Sequence, residues 1–364
     1  MSFTSCKIIF PLDEELGLDR LPFKITPDAM LMIADIVQTI HSYSGAQKFL
    51  NQHTRIRVNA DTIRYVANHI GKLVFEHDQS EADKAWNLLQ SGKFQFPETK
   101  KPDVLYIEVD GAMLHTRKSQ EEKASEENKN RSTWMENKLG MVFSSDHFES
   151  WYNKDGGREC KIGKREYITF LGAAEEFKKH LWAVALRNGY GSYGTTVFIS
   201  DGATWLRNMK DELFPDAQQI LDFYHLKENT YRFFQLIYNN DENKYKPLAE
   251  KCCELLRTSK AQEALKLIGG LGKRLLSKST FNLVGYINNN LDNIDYASYR
   301  ENGWFIGSGA IESGNKSVLQ QRLKQPGMRW NRTTGQYILS LMAKSKSKLW
   351  GTVEELVREK YKIN

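Results

Sequence analysis

Three acidic residues occur in contexts typical of metal-dependent phosphoryl-transfer sites. Asp110 and Asp201 each follow an apolar run and precede a glycine, and Glu312 lies in a segment with helical spacing. Clustered carboxylates repel one another unless a cation neutralises them. Hard divalent cations take oxygen ligands, and a pair of them can activate an attacking oxygen and stabilise a leaving oxygen. These acids therefore predict chemistry on a phosphate ester; the alternative is that both aspartates are ordinary turn residues and Glu312 a solvated helix acid.

The chain around Asp201 predicts the elements that would position two acids. Residues 195–200 form a short apolar run, typical of a strand buried on both faces, which delivers Asp201 to its carboxyl end. An amphipathic helix follows, and residues 219–223 predict a second strand that carries Asp222, with His225 three residues later. Ligands of open α/β sheets bind at such strand ends. The alternative is a strand–helix–strand unit with two solvated acids and a structural histidine.

The preceding segment predicts the strand that carries Asp110. Alternation over residues 104–110 places Asp110 on the same side as Glu108, which is a second-choice ligand, and at the end of the strand. Further strands are predicted at residues 138–144 and 166–171. The order of elements indicates a mixed α/β sheet flanked by helices, followed by a strand-free helical stretch.

The first hundred residues predict a series of helices. Thr26 and Ser44 are expected to cap the first two, and Asn59 a third that ends at Gly71. A separate helix is predicted at residues 81–89. Two short helices joined by a tight turn are typical of a helix-turn-helix.

The outward face of the helix after Asn59 would show Arg64 and Asn68, which are plausible contacts to bases or phosphates. Any small three-helix unit gives the same pattern, so a structural role is the alternative. Towards the other end of the chain, a helix carries Glu312, with Lys316 and Leu319 expected on the same face.

Composition and charge limit the class of protein. The chain has 364 residues, of which 40% are apolar, and a net charge of +6. From Ser313 onwards it has eleven Lys or Arg and three Asp or Glu, a concentration that suits a polyanion, although a solvated basic helix is the alternative. No apolar run approaches the roughly 20 residues that cross a bilayer, and a signal peptide is not evident, so we expect a cytoplasmic protein without membrane contact. Four cysteines without a CxxC pair predict no zinc site.

Three segments resemble the three blocks of a DDE transposase. They read YIEVDGA, then VFISDGATWLRN with ILDFYHLKEN, and finally GSGAIESGNKSVLQQRLKQPGMRW. The closest resemblance is to bacterial insertion-sequence transposases of the ISKra type, relatives of the Mutator-like group. It covers roughly Pro11 to Ala343, and its last block is the most specific.

The resemblance implies a ribonuclease H-like core with a helical insertion between the second aspartate and the glutamate. It implies that Asp110, Asp201 and Glu312 are catalytic and bind Mg²⁺ or Mn²⁺, as two ions. Asp222 and His225 match an acid-x-x-His pair that contacts DNA or supports the metals. The implied DNA-binding residues, with the two from the N-terminal helices, are Arg64, Asn68, Asp222, His225, Lys316, Arg322, Lys324, Arg329 and Trp330.

The resemblance also implies an organisation and partners. The expected division is an N-terminal helical, DNA-binding region (1–98), a catalytic core (99–238 and 300–350), a helical insertion (239–299) and a C-terminal tail (351–364). The expected function is metal-dependent cleavage and strand transfer of an insertion sequence. The partners would be double-stranded DNA of the transposon ends and target, bound by a homo-oligomer on paired ends, near the bacterial nucleoid.

Two other functions remain open. Relatives usually begin with a zinc-ribbon-like cysteine cluster, whereas only Cys6 stands in that part of this sequence. The chain thus looks shortened at its N-terminus, which favours a truncated or domesticated DNA-binding derivative with impaired catalysis. A structure-specific nuclease on the same fold is the further alternative.

Overall fold

A five-stranded sheet is the centre of the molecule. The computed structural model describes residues 14–15, 17–118, 133–152, 158–271 and 281–361. The strands are β1 (Lys101–His115), β2 (Trp134–Ser144), β3 (Phe148–Tyr152), β4 (Arg158–Ile162), β5 (Arg165–Leu171), β6 (Tyr193–Ser200) and β7 (Gln218–Leu221). Each predicted strand is present, but β3 and β4 form a separate antiparallel hairpin that the sequence did not predict.

The sheet is mixed, with strand order β5-β2-β1-β6-β7. β2 is antiparallel to both β1 and β5, whereas β6 lies parallel to β1 and β7 parallel to β6. The acid-bearing strands β1 and β6 are therefore adjacent and interior. This confirms the predicted mixed α/β class.

Helices cover both faces of the sheet. In chain order they are α1 (Pro27–Thr39), α2 (Tyr43–His53), α3 (Ala60–Gln90), α4 (Ala174–Arg187), α5 (Thr204–Leu213), α6 (Phe223–Ile237), α7 (Glu242–Arg257), α8 (Ala261–Gly269), α9 (Leu283–Asn288), α10 (Tyr296–Glu301), α11 (Gly309–Gly314), α12 (Gln321–Leu323), α13 (Arg332–Lys346) and α14 (Trp350–Lys360). A π-helical segment, Asn315–Gln320, joins α11 to α12. Between β7 and α11 the described residues form helices joined by turns and loops, without a strand, as predicted. α14 occupies most of the predicted tail. None of the described helices combines the length and apolar character that crossing a bilayer requires.

The alternation predicted for β1 divides the core in two. Leu105, Ile107 and Val109 pack with α4 and α5 on one face of the sheet. Tyr106 lies on the other face, in a cluster that also contains the buried residues of α1, α2 and the N-terminal half of α3. The N-terminal helices thus share a hydrophobic core with the sheet.

Two of the three predicted N-cap residues do begin the N-terminal helices. The Thr26 Oγ1 accepts the Ala29 N–H at 3.4 Å, and the Asn59 Oδ1 accepts the Thr62 N–H at 2.7 Å. The cap of α2 is Ser42 rather than Ser44.

The largest difference from the sequence prediction concerns Gly71. α3 is one helix of 31 residues, so it neither ends at Gly71 nor leaves a separate helix at 81–89. A Cβ at Gly71 would lie 2.5 Å from the carbonyl oxygen of Tyr337 in α13. Glycine here allows α3 and α13 to approach closely, so it serves a packing contact within the helix rather than a helix end.

Gly71→Ala is therefore expected to lower the free energy of unfolding by about 1–3 kcal/mol, because the colliding atom is backbone and cannot rotate away. Denaturant unfolding measures the effect. The matched control is Gly351→Ala in α14, where a Cβ meets nothing within 4 Å. That change should be neutral or stabilising by up to about 1 kcal/mol. Equal effects of the two substitutions would contradict this account of Gly71.

Candidate active site

Asp110 and Asp201 lie on neighbouring parallel strands. The last residue pair between β1 and β6 is Glu108 opposite Ile199, and two further residues along each chain bring Asp110 and Asp201 side by side. Adjacent strands are about 4.8 Å apart. Asp110 differs from the prediction in one respect: it is not at a strand end, because β1 continues to His115 along β2. It lies where the pairing with β6 has stopped.

The Asp110 carboxylate is half-buried and has two hydrogen-bond donors. Its Oδ1 accepts the Gly111 N–H at 2.7 Å, and its Oδ2 accepts the side-chain amide of Asn315. Burial raises the pKa of Asp110, and the neighbouring charge of Asp201 adds to the shift. The two hydrogen bonds and the nearby His225 oppose it. Asp110 is thus a partly buried carboxylate that lies beside a second one.

Asp201 lies in a short loop that other elements hold in place. Its Oδ1 accepts the Ala203 N–H at 2.9 Å, and its carbonyl accepts the Tyr286 hydroxyl at 2.7 Å. Gly202 has φ +80°, and a Cβ there would approach the Leu221 side chain to 2.6 Å. Tyr286 belongs to α9, so the helical stretch after β7 returns to brace this loop. The sequence carried no signal for that contact.

Glu312 reaches the same region from α11. The Ile311 N–H donates to Glu108 Oε2 at 2.9 Å, and Asn315 donates to Asp110, so α11 is fixed to β1 on both sides of Glu312. Burial raises the pKa of Glu312, and the charges of Asp222, Glu228 and Asp110 raise it further.

The residues after Glu312 do not follow the predicted face. Lys316 is exposed as Glu312 is, but Leu319 is fully buried. The π-helical segment begins at Asn315 and changes the residue spacing, which turns Leu319 inwards.

Asp222 has a structural position rather than the expected contact with DNA. β7 ends at Leu221, one residue before the predicted strand would include Asp222, which is the N-cap of α6. Its Oδ1 accepts the Tyr224 N–H at 2.8 Å, and its Oδ2 accepts the Ser308 hydroxyl. Its carboxylate therefore joins the start of α6 to the start of α11. Because the residue is 2% exposed, the carboxylate is not open to a ligand.

The chemistry of the donor set fits a hard cation, although the arrangement is not a complete metal site. Asp110, Asp201 and Glu312 offer oxygen ligands. Burial raises the pKa values of Asp110 and Glu312, and neighbouring carboxylates, whose charge a cation would offset, add to both shifts. Within the described residues, no group of three or more His, Cys, Asp or Glu side chains is arranged to hold a metal ion. One oxygen of Asp110 is engaged by Asn315 instead.

Most of the residues predicted to bind DNA meet away from the acids. Arg64, Asn68, Arg322, Arg329 and Trp330 line one cavity between the N-terminal helices and the segment before α13. Arg322 is 1% exposed, so it does not belong to a solvated basic face, which was the alternative to DNA binding. Lys316 and Lys324 are exposed and lie outside this cavity, and His225 is half-buried near Asp110.

Glu108→Gln is expected to remove a pH dependence of stability. Glu108 is fully buried, and this burial raises the pKa of its carboxyl from 4.5 to about 8. Since the folded chain holds this proton more tightly than the unfolded chain, the free energy of unfolding falls as the pH rises from about 4.5 to about 8. Glutamine keeps the acceptor for the Ile311 N–H without the charge.

The variant should therefore match the parent in acid and exceed it in stability near pH 8. Denaturant unfolding across this range measures both. An equally steep fall in the variant would contradict the assignment.

No protein-family model matches the chain, and no curated protein sequence matches it. Support for a function therefore comes from the chain's own residues and from the resemblance of its three acid-bearing segments.

Proposed function

We propose that the chain is a DDE transposase that cleaves DNA strands and transfers them in a metal-dependent reaction. The observation that carries this proposal is the placement of Asp110 beside Asp201 at the middle of the sheet, with the helix of Glu312 fixed to the same strand as Asp110. These are the three acids that the resemblance implies. The mixed sheet with flanking helices agrees with a ribonuclease H-like core.

In this proposal Asp110 and Asp201 hold the cation pair, as Mg²⁺ or Mn²⁺, and Glu312 completes the set. The bound ions would supply activation of the attacking oxygen and stabilisation of the leaving oxygen. Asn315 and Gly111 orient the Asp110 carboxylate, and the Tyr286 hydroxyl restrains the Asp201 loop. His225 lies near Asp110, where it can contact a phosphate of the bound strand. No covalent link between protein and DNA is required.

A second candidate is a DNA-binding derivative with impaired catalysis. The observation that favours it is that both oxygens of Asp110 already accept hydrogen bonds within the chain, from the Gly111 N–H and the Asn315 amide. Under the leading proposal Glu312 completes the site together with the two aspartates, and a homo-oligomer assembles on paired ends in the cytoplasm.

The experiment that separates these functions uses DNA from both sides of the gene, where the element ends would lie. The proposal expects Mg²⁺- or Mn²⁺-dependent cleavage within this flanking DNA and none in EDTA. Binding without cleavage in every metal would favour the impaired derivative. Cleavage of flaps or RNA–DNA hybrids, with no preference for the flanking DNA, would favour a structure-specific nuclease.

A further inference from the structure

A cavity of about 410 Å³ lies between the N-terminal helices and the segment before α13. Its walls come from parts of the chain that are far apart in sequence, including Tyr43, Arg64, Arg117, Arg322 and Trp330. The volume lies in the range of small-ligand pockets. We call it the arginine pocket.

Arg322 is the unusual residue of the arginine pocket. Its guanidinium lies between the ring of Tyr43, at 4.7 Å, and the ring of Trp330, at 5.3 Å. The Nη1 donates to the His41 carbonyl at 2.9 Å, but Nε and Nη2 are buried without a hydrogen bond of good geometry among the described residues. The Tyr43 hydroxyl interacts with the guanidinium but supplies no counter-charge, since burial raises the pKa of Tyr43. A buried charge without a counter-charge destabilises a fold. The free donors therefore point to a missing anion.

The other charged side chains that line the arginine pocket are also positive. None of the described residues that line it carries a carboxylate, whereas Arg64, Arg117 and Arg329 add positive charge. Arg64 also forms an ion pair of 2.9 Å with Asp61, outside the lining. The Oδ1 of Asn68 is a buried acceptor without a donor. A ligand that suits both features has an anionic group and a hydrogen-bond donor.

One wall of the arginine pocket extends the strand that carries Asp110. The Trp330 N–H donates to the His115 carbonyl at 3.1 Å, and its own carbonyl accepts the Arg117 N–H at 2.7 Å. The indole Nε1 donates to the Leu323 carbonyl at 3.0 Å. Trp330 is thus fixed in place beside Thr116. Thr116 follows Asp110 by six residues, which corresponds to about 20 Å along an extended strand.

We propose that the arginine pocket binds a single nucleotide of a DNA strand, with its phosphate on Arg322 and an N–H of its base donating to the Asn68 Oδ1. This assignment rests on the proposed DNA substrate, and it adds a site about 20 Å from the acids along β1. A strand anchored there would run along β1 towards Asp110. The volume of the pocket admits one nucleotide rather than a duplex.

Binding of a fluorescent single-stranded oligonucleotide, followed by anisotropy in EDTA, tests the proposal. EDTA prevents cleavage, so a failure of the active-site proposal does not affect the result. Arg322→Met, which fills the same space without charge, is expected to weaken binding by about 10- to 100-fold. Its melting temperature should equal or exceed that of the parent, because the unpaired charge is gone. The control is Arg55→Met, which removes an exposed arginine outside the pocket and should change binding by less than about twofold.

Competition distinguishes the source of the phosphate. Deoxyadenosine monophosphate should displace the oligonucleotide from the parent, and deoxyadenosine should not. Loss of mononucleotide binding in Arg322→Met with unchanged oligonucleotide binding would overturn the DNA strand as the ligand. Unchanged binding of both, or equal losses in Arg55→Met, would overturn the pocket itself.

A second variant covers the case in which Arg322→Met does not fold. Asn68→Asp has nearly the same shape and places a carboxylate in the arginine pocket. It should weaken oligonucleotide binding by at least about tenfold while the chain remains folded. A folded Asn68→Asp variant that binds like the parent would overturn the proposal.

Discussion

Asp201→Asn is expected to reduce DNA cleavage by about a thousandfold, the size of effect seen when one charge-stabilising group is removed from an active site. Asparagine has nearly the same shape and keeps an oxygen for the Ala203 N–H, which Asp201 accepts at 2.9 Å. The loop should therefore stay in place while one of the two adjacent carboxylates loses its charge. Initial rates of cleavage of labelled flanking DNA in Mg²⁺ measure the effect.

The control for this prediction is Asp216→Asn, which removes an exposed carboxylate from the turn after α5. It changes the net charge by the same amount, and it should cleave at the parent's rate. Both variants should bind DNA in EDTA as the parent does. If Asp201→Asn cleaved as fast as Asp216→Asn, the catalytic role of Asp201 would be excluded.

Asp222→Ala is expected to lower the free energy of unfolding by about 2–4 kcal/mol, because it removes a helix cap and a buried hydrogen bond to a charged group. The lost contacts are the Tyr224 N–H at 2.8 Å and the Ser308 hydroxyl. Since Ser308 precedes α11, the change should also loosen the helix of Glu312. Cleavage is expected to fall by at least about tenfold, as misplacement of catalytic groups predicts.

Asp241→Ala is the matched control, since Asp241 is the N-cap residue of α7 and its side chain makes a surface ion pair with Lys244 rather than a buried capping hydrogen bond. Its substitution should cost less than about 1 kcal/mol. Ser308→Ala separates the two roles of Asp222: it should keep the cap of α6 and still reduce cleavage. A similar loss of stability in Asp222→Ala and Asp241→Ala would show that the buried contacts do not matter.

The sheet was predictable from sequence because each of its strands contains a short, largely apolar run. Residues 195–200 read as a buried strand, and the structure has β6 there, so Asp201 follows the strand as expected. The β3–β4 hairpin was not predicted. At Gly71, the sequence shows only a glycine, and its role depends on a contact with Tyr337, hundreds of residues away. Local sequence patterns therefore predicted which helices and strands exist better than they predicted where each one begins and ends.

The surroundings of the acids were much harder to predict. Glu108 meets Ile311 and Asp110 meets Asn315 across separations of 203 and 205 residues, which no local spacing reveals. Residue type was also a poor guide to burial. Asp222 and Arg322 are charged and would be expected at the surface, yet the fold buries both. The sequence shows which residues are charged, but it does not tell whether each one binds a ligand or holds two helices together.

Titration with Mn²⁺, followed by electron paramagnetic resonance in the presence of flanking DNA, tests the central claim most directly. Asp110 and Asp201 are proposed to hold the cations that cleavage needs. The parent and Asp216→Asn should bind Mn²⁺, and the double variant Asp110→Asn with Asp201→Asn should not. Equal Mn²⁺ binding by the parent and the double variant, or none by the parent, would contradict the account.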